Sequence, residues 1–323
     1  MATDTADDLQ AIVEGLRAAR RRWREAHRRW DTGGRELPSR ELLAGVVEQL
    51  AGALFPMRLG PPDLQPETED HYVGHTLGVA LTRLRQQVQL ELGHEARLRG
   101  AEPPAGEAAA ALVSSFARRL PFARRLPAVR ELLDSDVTAA FQGDPAARSV
   151  DEVLLCYPGL HALISHRLAH ELYRLGVPLI ARVIAELAHA QTGIDIHPGA
   201  QVGPGCFIDH GTGVVIGETA ILGRGVRLYQ NVTLGAKSFA VDSEGHLVKG
   251  QPRHPIVEDG VVIYAGATVL GRITLGRGSV IGGNVWLTRS VPPGSRISQA
   301  DSQSHPPVEP STTPPSAFQS LAA

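Results

Sequence analysis

The chain has 323 residues, a formal net charge of -2 and two cysteines, Cys156 and Cys206. This charge gives no indication of a nucleic-acid partner, and two cysteines cannot form a disulfide framework. The first residues, MATDTADD, lack the apolar core of a signal peptide, and no run approaches the 18 apolar residues of a membrane span. We therefore expect a cytoplasmic protein that does not associate with membranes.

Residues 1–192 show the apolar periodicity of helices and are predicted to form an N-terminal all-helical domain. Ser39 is suited to cap a helix whose apolar residues recur every four positions, and Gly193 is suited to end the last helix. The apolar residues of that first stripe are Leu42, Val46, Leu50 and Leu54. Comparable periods cover Val73–Leu92, Val129–Phe141, Leu160–Leu175 and Pro178–Gln191.

A basic run near the N-terminus, from Arg20 to Arg29, permits two interpretations. It is either a nucleic-acid-binding segment or the solvated face of a helix. Trp23 and Trp30 are seven residues apart and share a helix face, which favours a packing seam with the arginines opposite. We expect no nucleic-acid partner.

Beyond Gly193 a period of six replaces the helical period, and 20 of the 34 glycines lie between Gly193 and Gly294. Such a repeat predicts a parallel β-helix, in which short strands form a coil with side chains stacked inward. A β-sandwich would show a period of two instead. We assign residues 193–299 to this coil, so the fold class is α+β. The aliphatic anchors are Ile196, Val202, Ile208, Ile216, Leu222, Leu228, Leu234, Val257, Ile263, Val269, Leu275, Ile281 and Leu287.

Two interruptions break the six-residue period. Two extra residues lie between Ile208 and Ile216, and a polar segment separates Leu234 from Val257. Long loops within compact domains are usually functional, so the second interruption is a candidate site. Residues 300–323 are rich in Pro, Ser and Thr and are predicted to form a disordered tail.

His210 lies at the first interruption, where an extra residue can turn a side chain outward. Asp195 precedes it by fifteen residues, close to one turn of a coil built from three six-residue edges. A carboxylate beside an imidazole fixes its tautomer, which would make His210 a general base contributing roughly 10²–10⁴-fold. The alternative is a corner histidine capped by Asp209, and the spacing favours neither interpretation.

Two other chemistries receive less support from the pattern. His197, His210 and His254 could bind zinc, but none of them forms the closely spaced pair found in hexapeptide-coil carbonic anhydrases, so we expect no metal. Cys206 could act as a nucleophile, but it occupies a small-residue position of the repeat and is predicted to be packed inward.

Four motifs resemble the serine O-acetyltransferases: GIDIHPGA, FIDHGTGVVIGET, QNVTLGAK and PRHPIVEDGVVIYAGATVLG. The resemblance covers roughly Val129 to Pro293, including the helical stretch CYPGLHALISHRLAHELY. It implies a left-handed parallel β-helix and transfer of an acetyl group from acetyl-CoA to the hydroxyl of L-serine. The product, O-acetylserine, would serve cysteine biosynthesis.

The resemblance also implies roles for individual residues. His210 matches the general base and Asp195 its orienting carboxylate. Residues that match the serine-binding set are Asp144, Asp209, Arg253 and His254. Residues that match small positions along the coenzyme A groove are Gly235, Ala236, Ala265, Gly266 and Gly283. Arg272 and Arg277 are either phosphate contacts or solvated side chains.

Further expectations concern partners. Members of the family form trimers, with active sites between subunits, or dimers of trimers, and L-cysteine inhibits them by feedback. They dock into O-acetylserine sulfhydrylase through a terminal isoleucine. This chain ends Ser320-Leu321-Ala322-Ala323, which argues against that complex. The loop from 236 to 252 is also longer than in the best-known members.

Two alternatives to serine acetylation stay open at this point. One is an acetyltransferase for another hydroxyl, such as that of homoserine or a sugar. The other is a β-helix that serves only as an oligomeric scaffold. A scaffold has no need of the polar DIHP, IDHGTG and RHP motifs, which favours an enzyme.

Overall fold

The computed structural model describes residues 2–26, 37–98 and 121–303. Contacts group them into two units. The first comprises the described residues of Met1–Leu133 and His161–Gln191, and the second those of Asp134–Leu160 and Thr192–Ala323. Among the described helices, none is long and apolar enough to cross a membrane.

The predicted helical first part is confirmed. A 3₁₀ turn, Pro66–Thr68, precedes the longest of the described helices. Trp30 lies outside the described residues. The helices are α1 Ala2–Ala26, α2 Arg40–Leu54, α3 Pro56–Leu59, α4 Glu69–Leu98, α5 Pro121–Gly143, α6 Val150–Cys156, α7 Pro158–Arg174 and α8 Pro178–Thr192.

Helix α2 begins as predicted, because the Ser39 hydroxyl accepts a hydrogen bond from the Leu42 N–H at 3.3 Å. Its buried stripe differs by one residue from the prediction. Leu43 is 0% exposed, whereas Leu42 is 46% exposed. A strict four-residue spacing drifts around a helix of 3.6 residues per turn, so the stripe that starts at Leu43 and continues through Val46 and Leu50 stays on one face.

A buried carboxylate holds the start of α8 within the first unit. The two oxygens of Glu91 accept hydrogen bonds from the Leu179 and Ile180 N–H groups at 2.7 and 2.8 Å. These N–H groups have no partner inside the helix, and the helix dipole favours a negative charge there. Glu91 is 0% exposed, and this burial raises the pKa of its carboxyl group.

The second unit contains the coil, built from parallel strands of two or three residues. The strands form three sheets with the orders β1-β4-β7-β10-β13, β11-β8-β5-β2 and β14-β12-β9-β6-β3, here called sheets A, B and C. The strands are β1 Asp195–Ile196, β2 Gln201–Val202, β3 Phe207–Ile208, β4 Val215–Ile216, β5 Ile221–Leu222, β6 Arg227–Leu228, β7 Thr233–Gly235, β8 Ile256–Val257, β9 Val262–Ile263, β10 Thr268–Leu270, β11 Thr274–Leu275, β12 Val280–Ile281, β13 Trp286–Leu287 and β14 Arg296–Ile297.

The register of sheet A confirms the six-residue repeat and both interruptions. Val215 pairs with Thr233, and Thr268 with Trp286, so a regular turn of the coil takes three six-residue edges. The turn from Asp195 to Val215 contains the two inserted residues, and the turn from Thr233 to Thr268 contains the long polar loop. Extra residues therefore leave the coil at its corners, and the strands keep their register.

The aliphatic anchors form the core of the coil. Ile216, Leu234 and Val269 stack in one column of sheet A and are buried. Each fully buried side chain of this kind contributes about 1.5–3 kcal/mol relative to exposure. Cys206 is also buried, as predicted, and its N–H donates to the Asp136 carboxylate at 2.9 Å.

Part of the predicted helical domain packs with the coil. Residues 134–160 belong to the second unit, whereas the prediction placed all of 1–192 in one helical domain. Hydrogen bonds account for the difference, since Ser135 and Asp136 accept the Gly205 and Cys206 N–H groups. The start of α7 also approaches β3 so closely that a Cβ on Gly159 would collide with the Ile208 carbonyl oxygen.

The predicted tail begins with a short helix, α9 Gln299–Gln303. The Asp301 carboxylate accepts hydrogen bonds from the N–H and hydroxyl of Ser298 at 2.8 and 2.6 Å, a capping arrangement that was not predicted. Residues 304–323, the rest of the predicted tail, lie outside the described residues.

Gly159→Ala should destabilise the protein, because the added methyl group would meet a backbone oxygen that cannot turn aside. We expect a loss of about 1–3 kcal/mol in the free energy of unfolding. Gly78→Ala in α4 is the control: it has open space and should gain about 0.5–1 kcal/mol. Urea denaturation measures both, and a Gly159→Ala variant as stable as the parent would refute the packing.

Candidate active site

The first group of predicted site residues lies at the corner where the chain passes from sheet C to sheet A. We call this the His210 corner; its segments are 209–214, 229–232, 264–267 and 282–285. Asp209 and His210 follow β3 directly, and the Asp209 N–H bonds to the Leu228 carbonyl at 2.8 Å.

The two inserted residues give His210 an unusual backbone. Its φ is +59°, and Gly211 and Gly213 also have positive φ values. A left-handed backbone conformation costs a residue with a side chain about 1–2 kcal/mol. The surrounding turn must therefore stabilise His210 in this unfavourable conformation. The imidazole points outward and is 70% exposed, with Nε2 3.9 Å from an Asp209 carboxylate oxygen. It is thus accessible to a substrate.

Asp144 supplies a second carboxylate. Its Oδ1 accepts the Ala146 N–H at 2.8 Å, and its Oδ2 accepts the Tyr157 hydroxyl at 2.5 Å. The Tyr157 hydrogen bond is the main cause that lowers the pKa of Asp144, followed by the Ala146 N–H, and the charges of His210 and Arg227 lower it further. The same hydrogen bond raises the pKa of Tyr157. Asp144 is therefore held ionised.

Asp195 lies at the start of β1, where its N–H bonds to the Val214 carbonyl at 2.9 Å. The spacing predicted that it would neighbour His210 on the next turn. In the backbone register Asp195 pairs with Val215, because this turn contains the two inserted residues. Within the described residues, no hydrogen bond or ion pair joins Asp195 to His210. Its orienting role stays a prediction.

The second group lies at the corner between sheets A and B. We call this the Arg253 corner; its segments are 197–200, 217–220, 236–255 and 271–273. The Arg253 guanidinium pairs with the Glu218 carboxylate at 2.7 Å, and its Nη1 donates to the Gln251 carbonyl at 3.3 Å. The planar guanidinium is therefore fixed in direction, which suits recognition of a carboxylate.

His254 is enclosed at this corner and is 7% exposed. Its burial, together with the charge of Arg253, lowers its pKa to about 4. The ring lies over Gly217, where a Cβ would collide with it. Arg272 donates to the Thr219 and His254 carbonyls at 2.6 and 3.0 Å, so this arginine braces the corner.

A cavity of about 250 Å³ opens beneath the long loop at the Arg253 corner. Three cationic side chains line it: Lys237, Arg253 and Arg272. Phe239 and Val248 of the loop supply apolar walls. Such a cavity suits an anionic group attached to an uncharged chain.

The residues predicted to line the coenzyme A groove fall on the same two corners. Gly235 and Ala236 lie at or beside the Arg253 corner, and Ala265, Gly266 and Gly283 lie on the His210 corner. Gly266 has φ +72°, and a Cβ there would collide with Asn284 Oδ1, so local packing favours glycine at this position. Its part in binding stays a prediction.

Three residues that support the site were not predicted from the sequence: Tyr157, Glu218 and Thr219. Each lies within one of the longer motifs that resemble the family. Their partners are 13, 35 and 35 residues away in sequence. Only folding brings these pairs together, so spacing gave no signal for them.

Tyr157→Phe should raise the pKa of Asp144 toward its ordinary value, because the largest cause of the lowered pKa is the tyrosine hydroxyl. Tyr264→Phe is the control, since it removes a hydroxyl from the same corner without touching Asp144. Carboxyl ¹³C NMR across a pH titration measures the pKa. An Asp144 pKa equal in both variants would show that the Tyr157 hydrogen bond does not form in solution.

The chain is similar to known proteins over most of its length. Residues 254–289 match the family model described as bacterial transferase hexapeptide (six repeats). A plasmid serine acetyltransferase of Synechococcus elongatus is 57% identical over 273 residues, which is 83% of each chain. A serine acetyltransferase of Mycobacterium tuberculosis is 49% identical over 50% of this chain and 67% of its own.

Solved structures give the same result. Serine acetyltransferase 1 of Entamoeba histolytica, in complex with L-cysteine, has a TM-score of 0.64 and 34% identity, covering 83% of this chain and 92% of that one. The Neisseria gonorrhoeae serine acetyltransferase, in complex with serine, has a TM-score of 0.50 and 27% identity, covering 80% and 94%. The predicted resemblance is confirmed, and the chain belongs to the serine acetyltransferase family.

Proposed function

We propose that this protein is a serine O-acetyltransferase that transfers an acetyl group from acetyl-CoA to the hydroxyl of L-serine. The product is O-acetyl-L-serine, the precursor used in cysteine biosynthesis. The observation that carries the proposal is the division of charge between the two corners. Carboxylates and an exposed imidazole occupy one corner, and a fixed guanidinium occupies the other.

These groups match the three functional groups of serine. The carboxylates of Asp144 and Asp209 take the ammonium, and Arg253, with His254 beside it, takes the carboxylate. The serine hydroxyl then lies at the imidazole of His210. Charge-assisted hydrogen bonds of this kind are about twice as strong as neutral ones, and each fixes the direction of the substrate.

His210 is the general base. Its imidazole takes the proton from the serine hydroxyl as the oxygen attacks the thioester carbonyl of acetyl-CoA. The tetrahedral intermediate collapses, the carbon–sulfur bond breaks, and the imidazolium returns the proton to the CoA thiolate. Asp195 is the carboxylate assigned to orient this imidazole. No acyl-enzyme is formed, and the buried Cys206 takes no part.

The site lies between two copies of the chain. The two corners are separated by one edge of sheet A, and six extended residues span roughly 20 Å, far longer than a serine molecule. A homotrimer, alone or paired as a dimer of trimers, brings the His210 corner of one copy to the Arg253 corner of its neighbour. Acetyl-CoA lies along the same groove, beside Gly235, Ala236, Ala265, Gly266 and Gly283.

L-Cysteine is the expected feedback inhibitor. It carries the same ammonium and carboxylate as serine, so Asp144, Asp209 and Arg253 bind it equally well, and its thiol replaces the hydroxyl at His210. The Entamoeba histolytica relative binds L-cysteine in its crystal structure. We further infer that the coil is left-handed, that the reaction needs no metal, and that the enzyme acts in the cytoplasm.

The purified protein should release free CoA from acetyl-CoA when L-serine is present, and much more slowly with homoserine or sugars. His210→Ala should lower kcat roughly 10²–10⁴-fold, the usual contribution of a general base. A thiol-trapping dye measures the release. Undiminished activity of His210→Ala would refute the mechanism, and faster reaction with a sugar would refute the substrate.

Arg253→Gln should raise the KM for serine roughly 10- to 100-fold, because a hydrogen-bonded charge partner of the carboxylate is lost. The KM for acetyl-CoA serves as the internal control and should change less. An unchanged KM for serine would show that Arg253 does not bind the substrate carboxylate. It would favour an acceptor that has no carboxylate.

A further inference from the structure

The hydroxyl of Thr219 has three hydrogen-bond partners at the Arg253 corner, as many as a hydroxyl can bind. Its oxygen accepts the Arg253 N–H at 2.9 Å and the His254 N–H at 3.1 Å. A hydroxyl has two lone pairs and one proton. With both lone pairs occupied by backbone donors, its proton remains for the third contact, which is His254 Nδ1 at 2.9 Å.

A second donor faces the same imidazole nitrogen. The Thr219 backbone N–H points at His254 Nδ1 at 3.1 Å, and a backbone N–H can only donate. The two donors share the single in-plane lone pair of Nδ1, which therefore carries no proton. In a neutral imidazole the proton must then be on Nε2.

We propose that Thr219 is a positioning residue that fixes His254 as a neutral imidazole with its proton on Nε2, so that His254 donates a hydrogen bond to the carboxylate of serine instead of acting as a second base. This deepens the proposed function and rests on it for the identity of the acceptor. The tautomer itself rests on the hydrogen bonds of Thr219.

The groups around His254 favour the neutral form. Arg253 and Arg272 are cations, His197 adds to their effect, and Glu218 opposes it but is paired with Arg253. A proton on Nδ1 would also point at two donors. Burial, the largest cause, lowers the pKa of His254 in the same direction.

The Nε2 edge is the side open to a ligand. Among the described residues, Nε2 has no hydrogen-bond partner, and it is not fully buried. It lies over Gly217, where a Cβ would collide with the ring edge. The missing side chain of Gly217 thus leaves room for the protonated Nε2 edge of the ring, where the substrate carboxylate is expected to bind.

NMR of the ¹⁵N-histidine-labelled protein tests the tautomer without any substrate. His254 should show an unprotonated Nδ1 and a protonated Nε2 between pH 5.5 and 8, a range chosen above its pKa of about 4. Thr219→Ser keeps the hydroxyl and should preserve this signature. Thr219→Val keeps the shape but removes the hydroxyl, so the pKa of His254 should rise. A wild-type His254 with its proton on Nδ1, or titrating between pH 6 and 7, would overturn the proposal.

Kinetics test the donor role. His254→Gln places an amide N–H near the position of Nε2, whereas His254→Ala removes the donor. We expect His254→Ala to raise the KM for serine roughly 10- to 100-fold, with His254→Gln within about tenfold of the parent and the same pH profile of kcat/KM. An equal rise of the KM for serine in both variants, with a changed pH profile of kcat/KM, would show that His254 acts as a base. If no serine-dependent CoA release occurs at all, the proposed function fails while the NMR result still stands.

Discussion

Hydrogen bonding between equivalent positions of successive turns is the constraint on which the coil depends. Each strand must lie directly over its counterpart in the next turn, with an aliphatic side chain stacked beneath it. The chain can therefore gain residues only at a corner. Both insertions lie at corners, and both produce features of the site. The first places His210 in a left-handed backbone conformation, and the second is the loop that returns to the coil at Arg253 and His254.

The corners differ in charge because different residues support them. On the side of the His210 corner, the Tyr157 hydroxyl and the Ala146 N–H keep Asp144 ionised. At the Arg253 corner, Glu218 fixes the guanidinium and Thr219 organises the backbone. A zwitterionic amino acid needs both kinds of group, a few ångströms apart. In the proposed function, two copies of the coil side by side supply them, and oligomerisation is then a condition of the chemistry.

Much of the fold could be predicted because the signal is local and repeated. The anchors recur at a fixed spacing, and their partners in the sheet follow from the period alone. Single residues were harder to place. Leu42 was expected in the core, but Leu43 occupies it, since a four-residue count drifts around the helix. The proximity of Asp195 and His210 stays a prediction, because the turn that contains them is longer than a regular one and fifteen residues do not complete it. The role of Thr219 depends on a loop that brings His254 back across 35 residues, and no local pattern encodes that closure.

In the proposed function, one catalytic site joins the His210 corner of one copy to the Arg253 corner of the next. Hybrids formed by co-expressing His210→Ala and Arg253→Ala chains test it most directly. Random mixing of equal amounts leaves about a quarter of the interfaces with both residues intact, so CoA release should recover to about that fraction of the parent activity. Hybrids that assemble but remain as inactive as the single variants would contradict the account and place both corners in the site of a single chain.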